Sequence, residues 1–194
     1  LKVSYFFDLY KEPDALVLVQ IKNENLDTYA IRLKELIDNV KYRTHKEKVK
    51  IVAHSMGGLV VRRYIQIFGD KDVDRIIFLG TPHHGITEKV YNLCKVKGSK
   101  LACRDMKSDS LLVNKLNRDP LPAVPIYNII GAGCIMDADE GDGVVTKQSA
   151  ELEESNNVKN IYVNGTCGKL SYFHTDMLDI SRYPEVYEEV LKEL

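Results

Sequence analysis

The segment "VKIVAHSMGGLVVRRYI", residues 49–65, constrains this chain more than any other. Val49, Ile51 and Val52 read as a short buried strand. Leu59, Val60, Val61, Tyr64 and Ile65 then recur at helical spacing, with Arg62 and Arg63 on the other side. A strand that becomes a helix this abruptly needs a sharp turn, and Ser55 occupies it between Ala53 and Gly57. In such a turn the residues two before and two after the serine come close together, so both must be small. The turn lifts the serine hydroxyl above the sheet, and the new helix points its first N–H groups and its positive dipole at the same space. As five letters the pattern is weak, and a turn or helix-capping serine would also satisfy it. The strand before it and the helix after it are what turn it into a nucleophile elbow.

The rest of the chain alternates in the same way. Residues 1–9 are apolar enough for a strand and 16–21 for a second. Leu26, Tyr29, Ala30, Leu33, Leu36, Ile37 and Val40 step by three and four and draw one helical stripe. "RIIFL", residues 75–79, is a buried strand ending at Gly80. Residues 81–104 are mostly polar and read as irregular, with Gly85 and Gly98 among them. A helix is predicted over 108–116, the turn "DPLPAVP" follows, and a strand covers 126–130. An acidic loop runs from Gly131 to Gly143, a last strand covers 160–163, and Pro184 opens a closing helix over 185–194. This order implies an α/β fold with a mostly parallel sheet, helices on both faces, and ligands beyond the carboxyl ends of the strands. Ser55, the "GTPHHG" loop, the acidic loop and the "YFHTD" segment all follow predicted strands, so they should share one rim. No repeat or composition break divides residues 1–194, which read as a single domain.

Composition removes whole classes of function. With 27 basic and 28 acidic residues, a formal net charge of -1 and no basic stripe, nothing points to a nucleic-acid partner. No apolar run approaches the ~20 residues of a membrane helix. The chain begins at Leu1 without a methionine, so residues upstream of it are expected, removed by processing or left out of this sequence. Its 194 residues suffice to bury roughly 70% of the surface that the unfolded chain exposes. The four cysteines show no CxxC spacing and no zinc pattern. Chain proximity favours Cys94 with Cys103, and Cys134 with Cys167, both of which follow predicted strands; four free thiols fit the sequence as well.

"AHSMGGLVVRRYI" and "FLGTPHHG", followed in order by "DSLLVNKLN", "GDGVVTKQSA" and "HTDMLD", resemble the alpha/beta-hydrolase superfamily in its lipase-like branch, which includes GPI inositol-deacylase-like proteins. The resemblance covers nearly the whole chain, and five ordered matches are far more specific than one. It implies a serine nucleophile, an acid and a histidine in that order; no cofactor is assigned. A serine hydroxyl needs a base, and imidazole serves near neutral pH. Of five histidines, His174 lies in a loop after the last strand, where this family carries its base. His54 should point away from the Ser55 hydroxyl by strand alternation, His45 belongs to a charged turn, and His83 and His84 sit in a loop that resembles a wall of the active-site cleft, held by a hydrogen bond. The imidazole must be oriented by a carboxylate. Among Asp137, Asp139, Glu140 and Asp142, "GDGVV" matches the family's acid motif at Asp142. Calcium competes for this cluster, but the spacing has no EF-hand pattern and no metal is assigned.

One feature departs from the family. An oxyanion hole takes one N–H from the residue after the nucleophile, here Met56, and a second from an earlier loop with a His-Gly motif. Residues 1–56 contain no glycine, so the chain is expected to lack the first strand and its loop. Loss of one donor costs about 10² to 10³ in turnover. The resulting expectation is a serine hydrolase of small-molecule or lipid-like carboxylic esters, with Ser55, His174, Asp142 and the Met56 N–H in the four roles. The segment between Gly85 and Ser108 is too short for a large lid, which implies a partly open cleft. The same residues could serve thioesters, amides or acyl transfer, or the domain could be a silent lipid- or partner-binding module.

Overall fold

The computed structural model describes residues 7–12, 15–20, 24–97, 99–136, 139–168 and 172–194. Its elements are, in chain order, β1 (Phe7–Glu12), β2 (Ala15–Gln20), α1 (Leu26–Thr44), β3 (Val49–His54), α2 (Met56–Phe68), β4 (Val73–Leu79), α3 (Glu88–Lys97), α4 (Lys100–Asp105) and α5 (Leu111–Arg118). There follow β5 (Ile126–Ala132), β6 (Cys134–Met136), β7 (Asp139–Gly141), α6 (Lys147–Ala150), β8 (Val158–Asn164), α7 (Phe173–Asp176) and α8 (Pro184–Glu193). Strands β3, β4, β5 and β8 form a parallel sheet in the order β3-β4-β5-β8. The first two strands pair only with each other, antiparallel, so they form a separate hairpin and do not extend that sheet. Residues 1–6, 21–23 and 98, which carry parts of the two predicted amino-terminal strands and Gly98, lie outside the described residues.

Alternation along β4 explains the layers. Ile76 and Phe78 pack on one face with Ala30 and Ile37 of α1 and Val61 and Tyr64 of α2. Ile77 and Leu79 face the other way, onto Phe173, Met177 and Val186. Side chains point to opposite faces at successive positions, and β4 is wholly apolar from Ile76 to Leu79 because both faces are covered. Each such side chain contributes about 1.5–3 kcal/mol on burial. Helix α1 buries Leu26, Tyr29, Ala30 and Ile37, the stripe seen in the sequence. It begins where the Asn25 side chain accepts the Thr28 N–H and stops where His45 turns left-handed at φ 55°.

The segment 81–104 differs from its sequence reading, because two helices occupy it. Among the α3 side chains described, Val90, Tyr91 and Cys94 turn inward among lysines, too short a stripe for periodicity to reveal. The two helices are held by a tertiary cluster with Leu59, Val60 and Met106 and by the Cys94–Cys103 disulfide. A second disulfide, Cys134–Cys167, joins β6 to the segment after β8 across a separation of 33 residues. Closing a loop of that size in the unfolded chain is worth about 3.7 kcal/mol. Part of the acidic loop is itself a hairpin, β6 with β7. Arg62 also departs from expectation. Its guanidinium is buried and donates to the backbone carbonyls of His83 (3.3 Å) and Leu116 (2.7 Å) and to Asn117 Oδ1 (3.0 Å), so it ties α2 to the loop after β4 and to α5. These three acceptors are neutral, and burial lowers its pKa to about 10.

Candidate active site

Ser55 stands between β3 and α2 with φ 54° and ψ -128°, a region that costs a non-glycine residue about 1–3 kcal/mol. Its N–H donates to the Leu79 carbonyl on the neighbouring strand (2.9 Å), and its carbonyl accepts the Gly58 N–H (3.0 Å). Although it holds the N-cap position of α2, its hydroxyl makes no capping bond. Instead Ser55 Oγ lies 2.8 Å from His174 Nε2. The capping role open to this serine in the sequence is therefore not the one it takes.

The turn also rests on a glycine whose partner is distant in sequence. A methyl group on Gly58 would collide with the Thr81 side chain. Gly58→Ala is expected to destabilise the protein by about 1–3 kcal/mol through overpacking. Adding Thr81→Ala should restore part of that loss, as read by urea unfolding of the two single variants and the double variant. Equal stability of Gly58→Ala and the parent would contradict the contact.

His174 sits in a one-turn helix, α7, rather than in an open loop, and is buried. Asp142 holds it twice. The His174 N–H donates to the Asp142 carbonyl (2.8 Å), and His174 Nδ1 lies 2.7 Å from Asp142 Oδ2. The other carboxylate oxygen, Oδ1, accepts the N–H groups of Val144 (2.9 Å) and Val145 (2.7 Å). With Oδ1 taken by two donors, Oδ2 accepts from Nδ1–H, and the Nε2 lone pair is left facing the Ser55 hydroxyl. Beneath this contact lies Gly80, at φ 52°, where an added Cβ would stand 2.8 Å from Asp142 Oδ2 and 3.2 Å from His174 Nδ1. Nothing in the sequence marks Gly80 beyond its place at the end of "RIIFLG".

The remaining candidates fall elsewhere. Glu140 accepts the Gly133 N–H, Asp139 accepts the Glu140 N–H, and Asp137 lies outside the described residues. His83 is fully buried, with Nε2 3.2 Å from Asn128 Oδ1, so it does anchor its loop; burial holds its pKa well below the usual histidine value. His84 is exposed and contacts the Glu151 carbonyl. The outer part of that loop, from His84 to Thr87, walls a cavity of about 640 Å³ whose lining includes neither Ser55 nor His174. At the inner end of the loop, Gly80 lies against Asp142 and His174, and Thr81 against Gly58. The His54 ring packs on that of His174, with centroids 4.6 Å apart. Among the described residues, no group of three His, Cys, Asp or Glu side chains is arranged to hold a metal ion. No helix among them is long and apolar enough to cross a membrane.

Met56 opens α2, where the first N–H groups of a helix have no carbonyl one turn back. Its side chain is buried in one apolar cluster with Leu59, Ile86, Ala102 and Met106.

Comparison with solved structures returns hydrolases of this fold. Lipase BlEst2 of Bacillus licheniformis in its mature form superposes with a TM-score of 0.67 at 16% identity, over 90% of this chain and 76% of that one. The same lipase in its propeptide form gives 0.61 at 16%, over 87% of this chain and 42% of that one, so this chain spans less than half of that form. Carboxylesterase CesB of Bacillus subtilis gives 0.54 at 14%, over 92% and 69%. Identities this low carry the fold alone. A comparison with curated protein sequences finds no match. A family model described as an alpha/beta hydrolase of unknown function, DUF915, matches residues 11–177, which include the whole parallel sheet, the Ser55 turn, Asp142 and His174. This chain belongs to that alpha/beta-hydrolase family.

Proposed function

We propose that the protein is a serine hydrolase that cleaves carboxylic esters, lipid-like acyl esters among them, through an acyl-enzyme. The observation that carries this reading is the continuous contact from Asp142 Oδ2 through His174 to Ser55 Oγ, at 2.7 and 2.8 Å. His174 Nε2 takes the hydroxyl proton as Ser55 Oγ attacks the ester carbonyl. Asp142 holds the ring and stabilises the imidazolium that forms. The Met56 N–H donates to the oxyanion of the tetrahedral intermediate. His174 then gives its proton to the departing alkoxide, which leaves as an alcohol. Water, deprotonated by the same imidazole, adds to the acyl-enzyme and releases the carboxylic acid, returning the proton to Ser55. The solved relatives named as a lipase and a carboxylesterase agree with ester substrates.

The test is a panel of p-nitrophenyl esters of rising acyl length set beside the corresponding acyl-CoA thioesters. Turnover of the esters, with a burst of p-nitrophenol equal to the enzyme concentration, is the expected result. Turnover confined to the thioesters would replace the ester reading with a thioesterase. Absence of both, together with no labelling by a fluorophosphonate, would point to a silent binding module.

A further inference from the structure

We propose that His54 is a positioning residue for His174, holding the backbone of the base in place through a hydrogen bond from its own ring to the His174 carbonyl. The proposal rests on the reading of Ser55 as nucleophile and His174 as base, and adds to it a residue that the three-residue relay leaves out.

The geometry is specific. His54 Nε2 lies 2.7 Å from the His174 carbonyl oxygen, across 120 residues of sequence. A carbonyl oxygen only accepts, so Nε2 carries the hydrogen and the tautomer of His54 is set by its partner. The rings meet at 4.6 Å with an interplanar angle of 43°. Helix α7 is four residues long and has no side-chain cap at Tyr172, so it has little stiffness of its own. Within and after it, the Phe173 carbonyl accepts from the Met177 N–H and the Thr175 carbonyl from the Leu178 N–H, while the His174 carbonyl is taken by His54. His174 is thus held at both ends of its main chain, its N–H by the Asp142 carbonyl and its C=O by His54.

The charge state suits the task. Burial first, and the neighbouring His174 second, lower the His54 pKa to about 4, with the His174 carbonyl and Asp142 acting in the opposite direction. His54 therefore stays neutral at the pH where His174 works. It does not compete for the serine proton, and it places no positive charge against the imidazolium formed during attack. It is also the residue directly before the nucleophile, so a single short segment sets the hydroxyl and, through this bond, the backbone of its base.

A displacement of the base by ~1 Å costs about 10²-fold in rate. The decisive pair is His54→Gln, whose amide N–H has comparable reach, and His54→Met, which has similar volume and no donor. His54→Phe, which keeps a ring without a donor, is the third variant. For p-nitrophenyl ester hydrolysis, kcat of the Met and Phe variants is expected to fall 10- to 100-fold with KM within about twofold of the parent. The Gln variant should keep kcat within about fivefold. Melting temperatures of all three are followed so that kcat is compared among folded proteins. Equal kcat in the Gln and Met variants, or an undiminished kcat in folded His54→Phe, would overturn the positioning role alone. Retained turnover in Ser55→Ala would instead overturn the reading beneath it, and this proposal with it.

Discussion

Ser55→Ala is expected to lower ester turnover by about 10⁴ to 10⁶-fold and to abolish labelling by a fluorophosphonate, with little change in melting temperature. In the proposed mechanism the kinetic effect is large because the side chain supplies the bond to the acyl group, and neither the base nor the amide donor replaces it. What remains is the binding of the substrate and the Met56 N–H, which still favour attack by water. The small thermal effect follows from the contacts of the hydroxyl. It caps no helix and its recorded partner is His174 Nε2, while the strained backbone at φ 54° is the same for alanine. Labelling that persists in Ser55→Ala would assign the nucleophile elsewhere. A collapse in melting temperature would make the serine structural.

Asp142→Asn is expected to lower kcat by about 10⁴-fold while leaving the fold intact, and the reason lies in which oxygen is already committed. Oδ1 accepts from the Val144 and Val145 N–H groups, so an asparagine will keep its carbonyl oxygen there and place its NH₂ where Oδ2 stands. An amide N–H would then meet the N–H at His174 Nδ1, and Nδ1 must become the acceptor. The imidazole proton moves to Nε2, the atom 2.8 Å from Ser55 Oγ, and a protonated nitrogen is no base. Nitrogen-15 NMR of the His174 ring reads the tautomer directly and steady-state kinetics reads its consequence. A kcat within tenfold of the parent, or a ring still protonated at Nδ1, would show that the acid is another residue.

Much of the site was legible because its signals are local. The apolar run before Ser55, the helical spacing after it and the small residues at 53 and 57 all lie within one segment, and the alternation of elements places four loops on one rim. The stripe of α1 was readable for the same reason, since period and length suffice for a helix of 19 residues. Helices α3 and α4 escaped because their inward residues are few and their partners lie on α2 and at Met106. Arg62 was assigned to the outer side by spacing alone. Its carbonyl acceptors on His83 and Leu116 exist only once α2, the loop after β4 and α5 have met.

By itself, the amino-acid sequence determined the α/β order, the serine turn and a short list of acids and histidines, because each depends on residues a few positions apart. It favoured the pairs Cys94–Cys103 and Cys134–Cys167 by proximity, and the folded chain closes both. Tertiary structure alone decided that His54 grips the His174 carbonyl and that Gly58 and Gly80 must yield room to Thr81 and Asp142. These are contacts through space, made when parallel strands bring distant loops together, and no local pattern encodes a distance between them.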